Sequence, residues 1–254
     1  MSRKGSAFIV TGGCSGLGYA TTVRLADEGA NVLVFDRNDD AGAELCAKYP
    51  TVKFQNVDVT SEDAIKAGVA KCVELFGRLD GLVNCAGVGS AMTTLSKKGV
   101  YPSRNFDMVL KINLYGSFNC AKYAAEAMSK NEGDAGGMKG VIINVASVAA
   151  FEGQKGQVAY AASKGAVTAM SLPMARDLAR FGIRVMCVAP GIMNTPMMQM
   201  TPKKVQDNLL TSVVAPKRFG QMEEFAHLVT TIIDNQYLNA QTIRLDAGIR
   251  MANL

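Results

Sequence analysis

A glycine-rich turn near the start of the chain constrains the fold more than any other feature. An apolar run of strand length, residues 7–10, leads into Gly12, Gly16 and Gly18, and a helix-forming run follows. Glycine lets the backbone turn sharply and approach a ligand closely, and the first N–H groups of a helix have no partners within it. The unit therefore predicts a site for the pyrophosphate of a dinucleotide. Its Gly-x-x-x-Gly-x-Gly spacing departs from the Gly-x-Gly-x-x-Gly fingerprint, so a structural turn is the alternative on this motif alone.

Apolar, β-branched runs alternate with helix-forming segments along the rest of the chain. Strands are predicted at residues 31–35, 52–57, 141–145 and 242–245, and within 80–87 and 183–191. This alternation is typical of one Rossmann-type, doubly wound parallel sheet with helices on both faces, an α/β fold. With 48% hydrophobic residues the 254-residue chain can bury one large core, and no repeat or linker divides it. A single domain is expected.

Two acidic residues follow predicted strands where a bound dinucleotide would place its adenosine. Asp36 stands about twenty residues beyond the glycine turn, where a carboxylate can accept hydrogen bonds from both ribose hydroxyls and repel a 2′-phosphate. This predicts NAD in preference to NADP. Arg37 leaves the other cofactor open, because a guanidinium beside the ribose could bind that phosphate, and a capping role is the alternative for Asp36. Asp58, after the next strand, is expected to contact the adenine.

The central strand and the helix after it carry the candidate chemistry. Ser147 follows the strand at 141–145, and a helix-forming run begins near Gln157. Tyr160 and Lys164 are four residues apart on that run, so they share one helix face. A neighbouring cation lowers the pKa of a phenol from its usual value of about 10. We expect Tyr160 to exchange protons near neutral pH; an exposed pair on an ordinary helix is the alternative.

Composition removes several other classes of function. Six cysteines are scattered without a C-x-x-C motif, which is typical of reduced, intracellular thiols. His227 is the one histidine, so neither a metal cluster nor a Ser-His-Asp triad is expected, and no metal is assigned. No apolar run is long enough to span a membrane. The net charge of +5 fits binding of an anionic nucleotide and is only a faint sign of nucleic-acid binding.

Three further segments interrupt the regular pattern. Asn113 lies inside residues 106–130, predicted as one helix, where Asn is mildly unfavourable; it indicates a local distortion or a polar task, with a solvated surface position as the alternative. Residues 88–104 are long for a loop and are expected to touch substrate. The methionine-rich residues 193–200 predict an adaptable apolar lid, with ordinary core methionines as the alternative.

Together these motifs resemble the classical short-chain dehydrogenases/reductases over nearly the whole chain. The resemblance rests on residues 11–18, 84–87 and 190–191, and on Asn113, Ser147, Tyr160 and Lys164. It implies one NAD(P)-binding domain, residues 1–254, that interconverts a secondary alcohol and a ketone with NAD. Tyr160 would be the general acid/base, and Lys164 would lower its pKa and bind the nicotinamide ribose. Ser147 would hold the substrate oxygen, and Asn113 would support a water-mediated proton relay.

The resemblance also implies the contacts of both ligands. Those of the cofactor would be Gly12, Ser15, Gly16, Leu17, Gly18, Asp36, Asp58, Val59, Cys85, Ala86, Gly87, Tyr160, Lys164, Pro190 and Thr195. Those of the substrate would be Ser147, Gln157 and Tyr160.

A closer likeness within the family bears on substrate and partners. Residues 88–104, 140–154, 175–177, 238–239 and 243–246 resemble those members that oxidise 3-hydroxyacyl-CoA and tolerate hydroxysteroids. This implies an acyl-CoA or steroid substrate in lipid metabolism, a homotetramer, a mitochondrial address with the cytoplasm as alternative, and a second role in a tRNA-processing complex. An NADPH-linked 3-oxoacyl carrier-protein reductase has the same core and is the alternative; Arg37 favours it and Asp36 opposes it.

Overall fold

One parallel sheet organises the chain in the computed structural model, which describes residues 3–97 and 99–251, apart from the side chain of Met197. The strands are β1 (Ala7–Thr11), β2 (Asn31–Asp36), β3 (Val52–Asn56), β4 (Gly81–Asn84), β5 (Leu95–Ser96), β6 (Gly99–Val100), β7 (Gly140–Val145), β8 (Ile183–Pro190) and β9 (Thr242–Leu245). Strands β5 and β6 form a separate antiparallel hairpin. The other seven form the sheet in the order β3-β2-β1-β4-β7-β8-β9, every neighbouring pair being parallel. The predicted Rossmann-type sheet is confirmed.

Helices cover both faces of this sheet. They are α1 (Gly16–Asp27), α2 (Asp39–Lys48), α3 (Glu62–Phe76), α4 (Ser103–Leu110), α5 (Gly116–Met128), α6 (Val158–Leu178), α7 (Pro196–Gln199), α8 (Lys203–Thr211) and α9 (Met222–Asp234). Because successive strand residues point to opposite faces, Ile9 packs in the core cluster beneath α3, α5 and α6, whereas Phe8 and Val10 pack beneath α1, α2 and α9. Burial on both faces explains why the strands read as continuous apolar runs.

The strand order reverses between β1 and β4, and this sets the position of the site. The chain winds outward from β1 to β3 on one side and from β4 to β9 on the other, which opens a crevice at the carboxyl ends of the central strands. The register aligns Thr11 with Asn84, and Asn84 with Asn144. The glycine turn after β1 and the segments after β4, β7 and β8 therefore meet at one edge.

The run predicted as one helix over 106–130 differs in a way that concerns Asn113. It consists of α4, a π-helical turn at Lys111–Tyr115 and α5, with Asn113 at the centre of the turn. Asn113 is fully buried, so the surface alternative is wrong and the expected distortion is present. A π-bulge widens the helix by one residue and is frequent at functional sites.

Two segments differ from the structure predicted for them. Residues 88–104 hold the β5–β6 hairpin where an irregular loop was expected, and α8 was not anticipated.

His227 is exposed on α9, and no group of metal-ligating side chains occurs within the described ranges. All six cysteines are free. None of the helices described is both long and apolar enough to cross a membrane.

Candidate active site

The glycine turn has the backbone geometry of an anion cradle. Gly12 and Gly16 have φ values of 63° and 53°, in the left-handed region that disfavours side chains. A Cβ on Gly18 would lie 2.1 Å from the carbonyl oxygen of Gly12, so α1 can pack onto the turn only with glycine there. The side chain of Ser15, the residue that caps α1, accepts none of the helix N–H groups. Those groups face the crevice edge and remain available to a phosphate.

Small residues after β4 form the adjoining wall. The N–H of Ala86 donates to the hydroxyl of Thr11 at 3.0 Å, which fixes this segment beside the glycine turn. A Cβ on Gly12 would lie 3.0 Å from the Ala86 backbone, so the two segments are close-packed. A Cβ on Gly87 would lie 3.5 Å from Nζ of Lys164. A ligand running along this wall passes from the glycine turn to Lys164.

Asp36 is fixed at the end of β2 by backbone hydrogen bonds. One carboxylate oxygen accepts the N–H of Cys14 at 3.0 Å. The other accepts the N–H of Arg37 at 2.7 Å and that of Asn38 at 3.3 Å. The carboxylate is thus tied to the glycine turn, in the position expected of a group that binds the adenosine ribose.

The Arg37 side chain reaches the end of the next strand. Its Nε lies 3.7 Å from Oδ2 of Asp58, and both side chains are substantially exposed. The other oxygen of Asp58 accepts the N–H of Thr60 at 2.8 Å; this bond and, to a smaller extent, Arg37 lower the pKa of the carboxyl. Val59 is buried against the start of α5, so only its backbone can face a cofactor.

Ser147, Tyr160 and Lys164 meet at the carboxyl end of β7. Burial of the phenol raises the pKa of Tyr160, and the Ser147 hydroxyl lowers it to a smaller extent. Lys164 is buried, and its Nζ donates to the carbonyl oxygen of Val145 at 2.7 Å and lies 5.9 Å from the centroid of the Tyr160 ring. Burial lowers the pKa of Lys164 to about 8.

These directions correct one sequence-based expectation. The sequence predicted that Lys164 would lower the pKa of Tyr160, whereas that pKa is raised. The reason is desolvation, which disfavours the charged form of each group and here outweighs their helix-face proximity. Lys164 is buried and Tyr160 is half-buried, so the exposed-pair alternative is wrong.

Asn113 supports the site through hydrogen bonds to two of its segments. Its Oδ1 accepts the N–H of Val88 at 2.8 Å, and its Nδ2 donates to the Val88 carbonyl at 3.0 Å and to Oγ of Ser163 at 3.0 Å. The Ser163 hydroxyl in turn donates to the carbonyl oxygen of Tyr160 at 2.7 Å. The π-helical turn therefore links the wall after β4 to the helix turn that carries Tyr160. Ser163 was not anticipated from the sequence, since a serine on a helix gives no distinct signal.

The residues enclose a cleft of about 400 Å³. Among the predicted ligand contacts it is lined by Gly12, Ser15, Gly16, Leu17, Gly18, Cys85, Ala86, Gly87, Ser147, Gln157, Tyr160, Lys164, Pro190 and Thr195. Asp36, Asp58, Val59 and Asn113 do not line it: the first three lie beyond its adenosine end or behind it, and Asn113 is buried. Thr195 caps α7 with its hydroxyl and stands across the cleft from Gly16.

The wall near Ser147 is more apolar than the sequence indicated. Its members are Val148, Met193, Met198, Leu209 and Met251. Met193 is buried in the core cluster beneath α1, α2 and α9, as the alternative of ordinary core methionines expects, whereas Met198 is half-buried at the cleft and Met200 is exposed. Leu209 was missed because α8 was not predicted, and nothing near the chain end distinguished Met251 beforehand.

This arrangement fits a dinucleotide. The glycine turn leaves no room for side chains, the helix start offers N–H groups, and the wall of small residues ends at a half-buried tyrosine and a buried lysine. Residues 12–18 would hold the pyrophosphate, Asp36 the adenosine ribose and Lys164 the nicotinamide ribose. A secondary alcohol or ketone between Ser147 and Tyr160 could then exchange a proton with the phenol.

Known proteins share this geometry and sequence. A model of the family described as short chain dehydrogenase matches residues 6–206. The chain is 47% identical to the 3-hydroxyacyl-CoA dehydrogenase type-2 of Bos taurus, over 98% of this chain and 97% of that protein. It is 35% identical to a 3-oxoacyl-[acyl-carrier-protein] reductase of Thermotoga maritima, over 98% and 99% of the two chains.

A solved structure extends the likeness to three dimensions. The crystal structure of 3-hydroxyacyl-CoA dehydrogenase type-2 from Mycobacterium avium superposes with a TM-score of 0.92 at 33% identity, over 98% of this chain and 97% of that one. Sequence, fold and site agree, and the chain therefore belongs to the short-chain dehydrogenase family, as an oxidoreductase that works with a nicotinamide cofactor.

Proposed function

We propose that the chain is an NAD-dependent dehydrogenase that interconverts 3-hydroxyacyl-CoA and 3-oxoacyl-CoA. The observation that carries the proposal is the 47% identity, over nearly full length, with a 3-hydroxyacyl-CoA dehydrogenase type-2. The apolar wall of Val148, Leu209 and Met251 beside Ser147 supports it, because a fatty acyl chain needs apolar surface next to the reacting carbon.

The chain's own residues would move the proton and hold the substrate. A nicotinamide cofactor, when bound, supplies or takes up the hydride. Ser147 would hold the substrate oxygen by a hydrogen bond, and the Tyr160 phenol would give it a proton in reduction and take one in oxidation. Lys164 would bind the nicotinamide ribose, and Asn113 would keep Tyr160 in place through Ser163.

Preference for NAD rests on Asp36. Its carboxylate is held by three backbone N–H groups and cannot move away from a 2′-phosphate without breaking them. Like-charge repulsion with an added phosphate would then oppose NADP. Asp36→Ala is expected to relax the preference toward NADP.

One assay panel tests the function. The purified protein should oxidise NADH with acetoacetyl-CoA, more efficiently than NADPH, and Tyr160→Phe should abolish the activity while leaving NAD binding nearly intact. Efficient reduction of another carbonyl without acetoacetyl-CoA turnover would contradict the CoA substrate and leave the reductase class standing. The same panel should include hydroxysteroids, which we propose as additional substrates.

An NADPH-linked 3-oxoacyl carrier-protein reductase is the second candidate. Arg37 at the ribose edge and the 35% identity with a bacterial protein of that name favour it. A wild type that prefers NADPH and an acyl carrier-protein thioester would replace the first proposal with this one.

The oligomeric state is a further proposal. We propose a homotetramer, supported by the exposed apolar side chains of Met108, Tyr115, Phe118 and Leu172 on α4 to α6.

The cellular location and a second role are also proposals. A mitochondrial address, with the cytoplasm as alternative, is tested by fractionation of cells that express the chain. An additional role in a tRNA-processing complex predicts that Tyr160→Phe still co-purifies with RNA-processing partners; absence of such partners from both purifications would contradict it.

A further inference from the structure

An ion-pair network holds the last described residues against the cleft. Arg244, on β9, donates from Nη1 to Oε1 of Glu152 at 2.8 Å and from Nε to Asp246 at 2.7 Å. Its Nη2 donates to the carbonyl oxygen of Ile249 at 2.9 Å. Arg250 adds weaker contacts to the same two carboxylates, at 3.5 and 3.4 Å. The side chains of Arg244, Glu152 and Asp246 are mostly buried, so solvent screens these pairs less than ordinary surface pairs.

Glu152 is the point at which this network meets the C-terminal segment, residues 247–251. While Oε1 accepts from Arg244, Oε2 accepts the backbone N–H of Met251 at 2.9 Å. The hydrogen bond from Arg244 is the main reason that the pKa of Glu152 lies below its usual range, so the carboxylate stays ionised at neutral pH. Glu152 lies five residues after Ser147. One side chain thus connects the loop that carries Ser147 to the segment that carries Met251.

The segment held in this way forms part of the cleft. Ile249 is fully buried in a cluster with Val148 and Val213, and Met251 packs against that cluster. Met251 also lines the cleft, as do Val148 and Leu209. Val148 directly follows Ser147, so Met251, which packs against its cluster, belongs to the part of the cleft near Ser147.

We propose that Glu152 is a positioning residue that fixes Met251 as the apolar wall for the acyl chain and thereby sets the preference for chain length. The inference rests on the proposed 3-hydroxyacyl-CoA activity and extends it to the part of the site that selects among acyl chains. A carboxylate is needed because both of its oxygens accept at once; a carboxamide has one acceptor oxygen and would lose either Arg244 or Met251.

The test compares Glu152→Gln with Glu224→Gln. Glu224 is a matched control, because it also accepts from an arginine, Arg218, and from a backbone N–H, that of Gln221, yet it does not line the cleft. The substrates are 3-oxoacyl-CoA esters of increasing length, starting from acetoacetyl-CoA. For each CH₂ group that reaches the wall, kcat/KM of the wild type should rise by up to about fourfold.

Glu152→Gln should flatten this rise through KM, with the largest loss on the longest chain, and Glu224→Gln should keep it. Equal slopes in all three proteins would overturn the inference, as would a loss in kcat that is the same for every chain length. If the wild type does not turn over acetoacetyl-CoA, the proposed function fails separately. Hydrogen exchange then still decides on the positioning role: residues 247–251 should lose protection in Glu152→Gln only, and retained protection contradicts the role.

Discussion

At the scale of single residues, burial acts against the charged forms of both central groups. It raises the pKa of Tyr160 and lowers that of Lys164 to about 8, although the ammonium keeps the Val145 carbonyl as a partner. Both shifts are properties of the fold that no spacing rule reveals, because desolvation depends on what covers a side chain. Each leads to a measurable pH dependence.

Lys164→Met should change how stability depends on pH. The pKa of Lys164 falls from 10.5 in the unfolded chain to about 8 in the folded one, so between these values the unfolded chain binds more protons and stability rises with pH. Lys164→Met lacks this titrating ammonium group. The free energy of unfolding of the wild type relative to Lys164→Met should therefore increase by up to about 3 kcal/mol between pH 7 and pH 10.5. Urea titrations across this pH range measure the free energy of unfolding of both proteins. A difference between them that does not change with pH contradicts the shifted pKa of Lys164.

Ser147→Ala should shift the pH profile of catalysis. Alcohol oxidation needs the phenolate of Tyr160 and rises with pH, while carbonyl reduction needs the phenol and falls. Removing the Ser147 hydroxyl removes the hydrogen bond that lowers the phenol pKa, so the oxidation limb should move to higher pH and the rate should drop. Ser171→Ala, which alters a buried serine elsewhere on α6, is the control. If the pH profiles of kcat/KM for the wild type and Ser147→Ala coincide, Ser147 does not lower the pKa of Tyr160.

Asp58→Asn should weaken cofactor discrimination. The ion pair keeps the Arg37 guanidinium near Asp58, and its loss would leave that guanidinium free to meet a 2′-phosphate. Because the pair is exposed, its worth is below about 1 kcal/mol, so the ratio of NADP to NAD efficiency should rise by no more than about fivefold. Asp40→Asn removes the same charge nearby and should leave the ratio unchanged. An unchanged ratio in both variants contradicts a role for the pair.

At the scale of elements, two helical glycines allow a matched test. A Cβ on Gly18 of α1 would lie 2.1 Å from the Gly12 carbonyl, whereas one on Gly165 of α6 would meet its nearest atom, Ala150 O, at 3.8 Å. Gly18→Ala should destabilise the fold by on the order of 2 kcal/mol and weaken NAD binding, because α1 must move off the turn. Gly165→Ala should stabilise it by roughly 0.5–1 kcal/mol. Thermal unfolding and NAD titration check both, and equal effects would contradict the close packing.

Element boundaries show where sequence patterns sufficed. The predicted strand at 242–245 matches β9, and the one predicted at 31–35 matches β2 to within one residue. The π-helical turn at Asn113 could be anticipated only as an irregularity, since its form depends on hydrogen bonds to Val88 and Ser163 that are distant in sequence.

At the scale of the whole molecule, the exposed apolar side chains on α4 to α6, Phe118 among them, predict the assembly. Sedimentation of the wild type should show a tetramer, and Phe118→Asp should dissociate it, because a charge cannot be buried unpaired in an interface. Val205→Asp on α8 is the control: its side chain is 43% exposed against 45% for Phe118. A monomeric wild type, or dissociation by both variants, would contradict this face as the interface.

The sheet was predictable as a whole, because it follows from local signals, apolar runs and strand ends, and the glycine turn was predictable in the same way. The substrate wall was not. Leu209 reaches the cleft from α8, and Met251 reaches it by packing against the cluster of Val148, Val213 and Ile249 that only the tertiary structure brings together. The wall proposed for the substrate therefore depends on the least regular part of the sequence.

The order of strands in the sheet also bears on how the protein is made. Each strand pairs with one already synthesised: β2 with β1, β3 with β2, β4 with β1, and then β7, β8 and β9 in turn at the growing edge. A ribosome releasing the chain from its N-terminus can therefore add each new strand to an edge of the sheet that already exists. The cleft is completed later, because Met251, whose backbone N–H donates to Glu152, is synthesised after all the strands. The nascent chain can cradle a nucleotide well before its substrate pocket is complete.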